Sequence, residues 1–204
     1  MPDHWIKHPT ALAGETVDLL PLDETHFAAL AALARDRSIW EFYAVDGADP
    51  VKLVNAYATA LTERERGNQY PFVIFHKTAN KIIGSTRYLD VQPAHRKLEI
   101  GWTWLHPEYW ATAVNLECKL LLLTHCFETL QASRVQLKTD ENNLRSRNAI
   151  QKIGGQFEGV LRNDMIRENH TKRNSAYYSL IEEEWPDKKR QLTALYEAKK
   201  QARR

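Results

Sequence analysis

Residues 96 to 140 constrain the fold of this chain more than any other stretch. RKLEIGWTWL alternates as a strand does, HPEYWATAVN turns without a glycine, and residues 115 to 129 follow as a strongly apolar helix. SRVQLKTD then reads as a second strand. A helix joining two strands of one sheet implies a right-handed parallel crossover. Ligands of such sheets sit beyond the carboxyl end of the first strand, where the helix begins. HPEYWATAVN occupies that place. Along the first strand, alternation puts Leu98, Ile100, Trp102 and Trp104 on one face and Lys97, Glu99, Gly101 and Thr103 on the other.

The first amides of a helix have no partner inside it, and the helix dipole adds partial positive charge there. A phosphate or pyrophosphate suits that position. Ala111 and Ala113 would let an anion approach the backbone, but alanine resists positive φ. Both are therefore expected in right-handed or extended conformations, with Thr112 or Asn115 as the cap. Taken alone, a small-residue turn of this kind is more often only a tight connection.

Around this unit the order of elements is legible. GETVDLL reads as a first strand, and DETHFAALAALARD as a helix with Asp23 and Glu24 at its start. After the acidic and aromatic connection SIWEFYAVDGADP comes a helix near residues 50 to 66. YPFVIFHK and KIIGSTRYLD form a hairpin around TAN, with Gly84 marking a bulge or a close backbone approach. ENNLRSRNAIQKIGG is a helix closed by Gly154 and Gly155, and a final hairpin turns around ENHTKR. With no internal repeat or linker, one domain over residues 1–182 is expected, followed by a basic helix or tail over 183–204.

Several classes are disfavoured. Lys and Arg number 28 against 26 Asp and Glu, a net charge of +2, which argues against a nucleic-acid binder. From Lys188 the tail holds seven bases against one acid, Glu197. It reads as a solvated, frayed helix, with an RNA or ribosome patch as the alternative. No run approaches the roughly 20 apolar residues of a membrane span, and MPDHWIKHPT lacks the apolar core of a secretion signal. Cys118 and Cys126 lie about 12 Å apart along one helix, too far for a disulfide. They read as reduced thiols of a cytoplasmic protein. The histidines show no metal-ligand spacing, so no metal is expected.

NNLRSRNAIQKIGGQFEGVLR, Asn142 to Arg162, resembles the closing motif of the GCN5-related N-acetyltransferases, particularly their RimJ/RimL-like branch. That pattern is N-x-x-S, a short helix, then K-x-G-[GF], here Asn143, Ser146, Lys152 and Gly154. LEIGWTWLHPEYWATAVNLECK is similar to the family's acetyl-CoA segment, [QR]-x-x-G-x-[GA]. Trp110 stands for Gln or Arg, Ala113 for Gly and Asn115 for Gly or Ala. The tyrosine that many members place two residues before the lysine is Ile150. The order of elements matches over residues 14 to 182. The resemblance implies an α/β (α+β) fold: a mixed, mostly antiparallel central sheet of about six to seven strands with helices on both faces.

It also implies acetyl transfer from acetyl-CoA to a primary amine in a ternary complex. The acceptor is a small molecule or a protein N-terminal α-amine, and a homodimer is left open. Such a transfer needs a neutral amine, although α-amines have a pKa of about 8 and lysines about 10.4. It needs a polarised thioester carbonyl, a proton or hydrogen bond for the leaving thiolate, and attack geometry. On the resemblance, pantetheine runs beside residues 98–105 where that strand splays from 134–139, and an amide near Trp104 or Leu105 meets the carbonyl. The pyrophosphate meets the amides of Trp110, Ala111, Thr112, Ala113, Val114 and Asn115. Asn143 and Ser146 face the thiol end, with Ser146 as donor to sulfur, unless both are only helix caps. Arg147, like Arg145, would meet CoA phosphates.

For the base, Glu99 leads, since it shares a face with Thr103 where partial burial can raise its pKa; a structural ion pair is the alternative. His106 is second. Segment 36–49 sets Asp36, Glu41, Asp46 and Asp49 among Trp40, Phe42 and Tyr43, a wall suited to a cationic amine. A non-catalytic acyl-CoA sensor or partner-binding module on the same fold is the competing function.

Overall fold

A computed structural model describes residues 4–202. Its strands are β1 (Leu12–Ala13), β2 (Val17–Pro21), β3 (Tyr70–His76), β4 (Lys81–Gln92), β5 (Lys97–Leu105), β6 (Arg134–Asp140), β7 (Gln156–Ile166) and β8 (Lys172–Ile181). They form one sheet in the order β1-β2-β3-β4-β5-β6-β8-β7. Only β5 and β6 pair in parallel; the other pairs are antiparallel. The sheet has eight strands instead of six or seven because β1, two residues long, adds onto β2. Two residues are too few to show a period of 2.

The helices are α1 (Phe27–Leu33), α2 (Pro50–Glu65), α3 (Val114–Thr124), α4 (Leu144–Lys152) and α5 (Trp185–Gln201). They cover both faces, as expected. Leu30 of α1 and Leu53 and Tyr57 of α2 pack with Val73 and Trp104. Cys118 and Leu122 of α3, Ile150 of α4 and Leu192 of α5 pack with Leu98, Ile100 and Val135. No helix among the described residues is long and apolar enough to cross a membrane.

Two helices differ from expectation. The span 115–129 is not uniform: α3 ends at Thr124, and His125–Thr129 is a π-helical turn. The Tyr88 hydroxyl donates to the Leu122 carbonyl at 2.9 Å just before it. The tail is not frayed over the described residues. Trp185, Leu192 and Tyr196 bury one stripe of α5, and Lys189 and Lys200 pair with Glu128 and Glu15. Arg203 and Arg204 lie outside the described residues.

The main correction falls on β5. Ser85 pairs with Trp104 but Arg87 with Gly101, so one extra residue of β5 is accommodated. Trp102 takes φ +52 there, a β-bulge that reverses the alternation. Leu98 and Ile100 enter the core under α3, whereas Trp102 and Trp104 pack against α1 and α2. Thr103 turns toward α3, where its hydroxyl accepts from Lys119 Nζ at 2.8 Å. The four apolar residues therefore do not share a face, and neither do Glu99 and Thr103. At Gly84 a Cβ would overlap the Trp104 carbonyl, so the close approach read from that glycine is present.

Candidate active site

The parallel contact between β5 and β6 is short. It spans Lys97 with Arg134, Leu98 with Val135, and Glu99 with Gln136. Beyond Glu99, β5 pairs only with β4 and β6 only with β8, so the two strands part. His106 N donates to Ile83 O on β4 at 2.9 Å. By alternation the backbone of Trp104 also faces β4, and that of Thr103 and Leu105 faces the opening. Of the two amides anticipated for the carbonyl, Leu105 is therefore the one on the gap.

Both carbonyls on that edge are already satisfied. Tyr43 Oη donates to Thr103 O at 2.7 Å, and Trp110 Nε1 donates to Leu105 O at 2.9 Å. The gap edge of β5 therefore offers unpaired N–H groups more than C=O groups.

The glycine-free turn begins at the end of β5. Trp110 N donates to Pro107 O at 3.0 Å, and Val114 N to the Thr112 hydroxyl at 3.1 Å. These two of the six anticipated amides are taken; the N-cap is Ala113 instead of Thr112 or Asn115, with Thr112 meeting the Val114 amide from the residue before it. The amides of Ala111, Thr112, Ala113 and Asn115 have no acceptor among the described residues. Four free donors thus gather at the start of an 11-residue helix. Ala113 is right-handed at φ −73°. Ala111 is not: its φ is +56°, a left-handed angle that costs an L-residue about 1–2 kcal/mol. The turn requires that conformation without having glycine to supply it.

The Arg145 guanidinium stacks 3.7 Å from the Trp110 ring, which brings the start of α4 against the start of α3. The two sequence motifs therefore meet in space. Asn143 caps α4, accepting from Ser146 N at 3.0 Å, while the Ser146 hydroxyl makes no hydrogen bond among the described residues. Ile150 is buried in the core, so the family's tyrosine position offers no phenol here. Arg147 is held inside the fold, with Nε donating to Tyr178 Oη and Nη1 to Glu141 O. It is Arg145 that lies at the turn.

Glu99 is 3% exposed. Its Oε2 accepts from Gln136 Nε2 at 2.9 Å and lies 3.4 Å from Lys138 Nζ. Burial raises its pKa, with Lys138 and Gln136 opposing, so burial outweighs the ion pair. The His106 backbone is tied to β4, and its Nδ1 lies 3.4 Å from Glu108 Oε2.

The acidic loop is arranged differently from the wall anticipated. Asp36 accepts from Ser38 N, Asp46 from Ala48 N, and Asp49 from Val51 N and Lys52 N. These carboxylates cap local turns and α2. Of the loop aromatics, Trp40 and Tyr43 converge with Tyr57 of α2, each within about 6 Å of Trp102, and Phe42 makes no ring contact among the described residues. Two residues of this region, and one contact, went unread in the sequence. Arg87 and Lys119 are buried ions, and Tyr43 reaches Thr103 across 60 positions.

Residues 17–156 match the family described as Acetyltransferase (GNAT) domain. The uncharacterized N-acetyltransferase YoaA of Bacillus subtilis (strain 168) is 25% identical over 163 residues, covering 78% of this chain and 89% of that protein. A GCN5-related N-acetyltransferase from Brucella melitensis superposes with a TM-score of 0.84 at 22% identity, covering 93% of this chain and 86% of the other. RimL, a ribosomal L7/L12 alpha-N-protein acetyltransferase solved with coenzyme A, superposes with a TM-score of 0.73 at 18% identity, covering 84% and 98%.

Proposed function

The chain belongs to the GNAT acetyltransferase family, and from that premise we propose that it acetylates a primary amine in a ternary complex at the β5–β6 gap. At the level of the family it is an acetyl-CoA-dependent N-acetyltransferase. Acetyl-CoA supplies the acetyl group already activated as a thioester. The observation that carries the reading is the coincidence at one end of the sheet of two unpaired sets of donors. These are the N–H edge of β5 and the free amides of Ala111, Thr112, Ala113 and Asn115.

The residues divide the work as follows. The four amides and the α3 dipole hold the diphosphate. The Leu105 amide, on the edge that faces the gap, hydrogen-bonds the thioester carbonyl and polarises it. Glu99 takes the proton that the amine loses as the C–N bond forms and the C–S bond breaks, and its raised pKa brings it closer to neutrality. Ser146, whose hydroxyl is uncommitted, donates to the departing sulfur. Asn143 holds the first turn of α4 so that Ser146 stands at that end. Likeness to RimL favours a protein N-terminal α-amine as acceptor.

A second reading, an acyl-CoA sensor, draws on the burial of Ile150 in place of a phenol. Thiol release from acetyl-CoA with a panel of amines and N-terminal peptides separates the two. Turnover supports the enzyme; tight CoA binding with no turnover on any amine supports the sensor.

A further inference from the structure

Arg87 of β4 is 4% exposed. Its guanidinium lies 4.2 Å from the Trp102 ring and 5.5 Å from that of Tyr57. Nη1 donates to the neutral Gln69 Oε1 at 3.2 Å, while Nε and Nη2 have no partner. No carboxylate among the described residues pairs with it. Burial lowers its pKa to about 10, which still leaves it charged at neutral pH. A buried ion without a counter-ion is destabilising, and proteins ordinarily avoid one.

Two further arginines lie near the Tyr43 phenol. Arg173, 9% exposed, donates to Phe42 O in the loop that bears Tyr43. Arg145 covers Trp110 with no acidic partner among the described residues. Both, with Arg87, act electrostatically on the Tyr43 phenol, which sits on the Thr103 carbonyl. Asp140 is paired with Arg167 and Arg173, Glu99 with Lys138, and Glu168 with Lys52, while Asp164, which accepts from Tyr177 Oη, acts on Arg173 and not on Arg87. The loop carboxylates at residues 36, 46 and 49 serve as caps. Arg87 is therefore the buried cation on this side of β5 that no carboxylate among the described residues neutralises.

We infer that the acceptor is an amine bearing a carboxylate close to its nitrogen, and that Arg87 is the group that recognises it. This rests on the acetyltransferase reading. A guanidinium matches a carboxylate with two parallel hydrogen bonds, and Nε with Nη2 is one of the edges that can make them. Trp102, half-buried, stacks on the guanidinium, and engagement requires its ring to move aside. An α-carboxylate of an amino acid and the side-chain carboxylate of an acidic peptide N-terminus present the same chemistry. The experiment distinguishes them.

The test uses the full chain with acetyl-CoA and matched acceptor pairs. One pair is an amino acid and its amide; the other is a peptide with Asp or Glu at its first or second position and its Asn or Gln counterpart. Thiol release gives kcat/KM. The inference expects the carboxylate member of at least one pair to be preferred by about tenfold or more, as for a charge-assisted hydrogen bond. The preferred pair identifies the source. In Arg87→Gln the preference should fall to near unity and in Arg87→Lys persist in part, with CoA affinity unchanged by calorimetry. Equal or better use of the neutral members by the native protein overturns the inference. So does an Arg87→Gln loss that is the same factor for every acceptor, which would make Arg87 only a support for Trp102. If no amine is turned over, the acetyltransferase reading fails. The preference is then read by equilibrium binding to the CoA-loaded protein, where equal affinity for acid and amide overturns it.

Discussion

The Tyr43 hydroxyl donates to the Thr103 carbonyl across 2.7 Å. This bond ties the loop between α1 and α2 to the edge of β5 that opens toward β6, one residue past the bulge at Trp102. It links the aromatic cluster around Trp102 to the strand edge proposed to align the thioester.

Tyr43→Phe removes that donor and leaves a strand carbonyl unmet at the gap. The protein should lose about 1–2 kcal/mol of stability. In steady-state kinetics the acceptor KM should rise while CoA affinity stays within about twofold. A fall in CoA affinity matching the rise in KM would place Tyr43 on the wrong side of the strand.

Ala111→Gly relieves a left-handed alanine. The gain, offset by glycine's greater freedom in the unfolded chain, should be roughly 0.5–1 kcal/mol in denaturant unfolding. Destabilisation would mean that Ala111 is not left-handed.

Ala113→Asp separates stability from binding. A carboxylate at the N-cap of α3 should steady the helix by up to about 1 kcal/mol. At the same position it repels a diphosphate, so CoA affinity should fall by at least about tenfold. If CoA binding is untouched, the anion lies elsewhere.

Glu99→Gln should lower kcat/KM by roughly 10²–10⁴ if Glu99 is the base. The sign of the pH effect follows from burial, which raises its pKa. Only the ionised carboxylate accepts a proton, so native activity should decline as pH falls through that raised value. Gln should abolish this limb, and its persistence would redirect attention to His106.

Lys119 offers a test in stability alone. Burial lowers its amine to about 8 from the ordinary 10.5. Below pH 8 folded and unfolded chains both hold the proton, and the fold bears the whole penalty. Between pH 8 and 10.5 only the unfolded chain keeps it, so this contribution to stability rises with pH. Lys119→Met should therefore stabilise the protein at pH 7, by a margin on the order of 3 kcal/mol less the lost bond to Thr103. The margin should shrink toward pH 10.5. A margin independent of pH would show that the amine is not desolvated.

Much of the fold could be read directly. Alternation and turn residues located seven strands and all five helices, and the strand–turn–helix order gave the parallel pairing of β5 with β6. What escaped was non-local or conformationally unusual. Nothing in EIGWTWL announces that a bulky Trp102 takes positive φ, yet that angle moves Trp102 and Trp104 to the other face. Arg87, in STRYLD, alternates like a solvent-facing residue and is instead roofed by α2 and Trp102. The loop acids suggested an acidic wall because composition does not show that Asp36, Asp46 and Asp49 would turn back onto the local backbone. In α5 the spacing of Trp185, Leu192 and Tyr196 did carry a helical stripe, obscured by the surrounding bases.

The central claim is that backbone donors at the start of α3 hold the diphosphate of coenzyme A. An amide-resolved NMR titration compares CoA with pantetheine, which lacks the phosphates. The amides of Ala111, Thr112, Ala113 and Asn115 should shift together and saturate with CoA, and stay in place with pantetheine. Saturable CoA binding that leaves those four resonances unmoved would contradict the account.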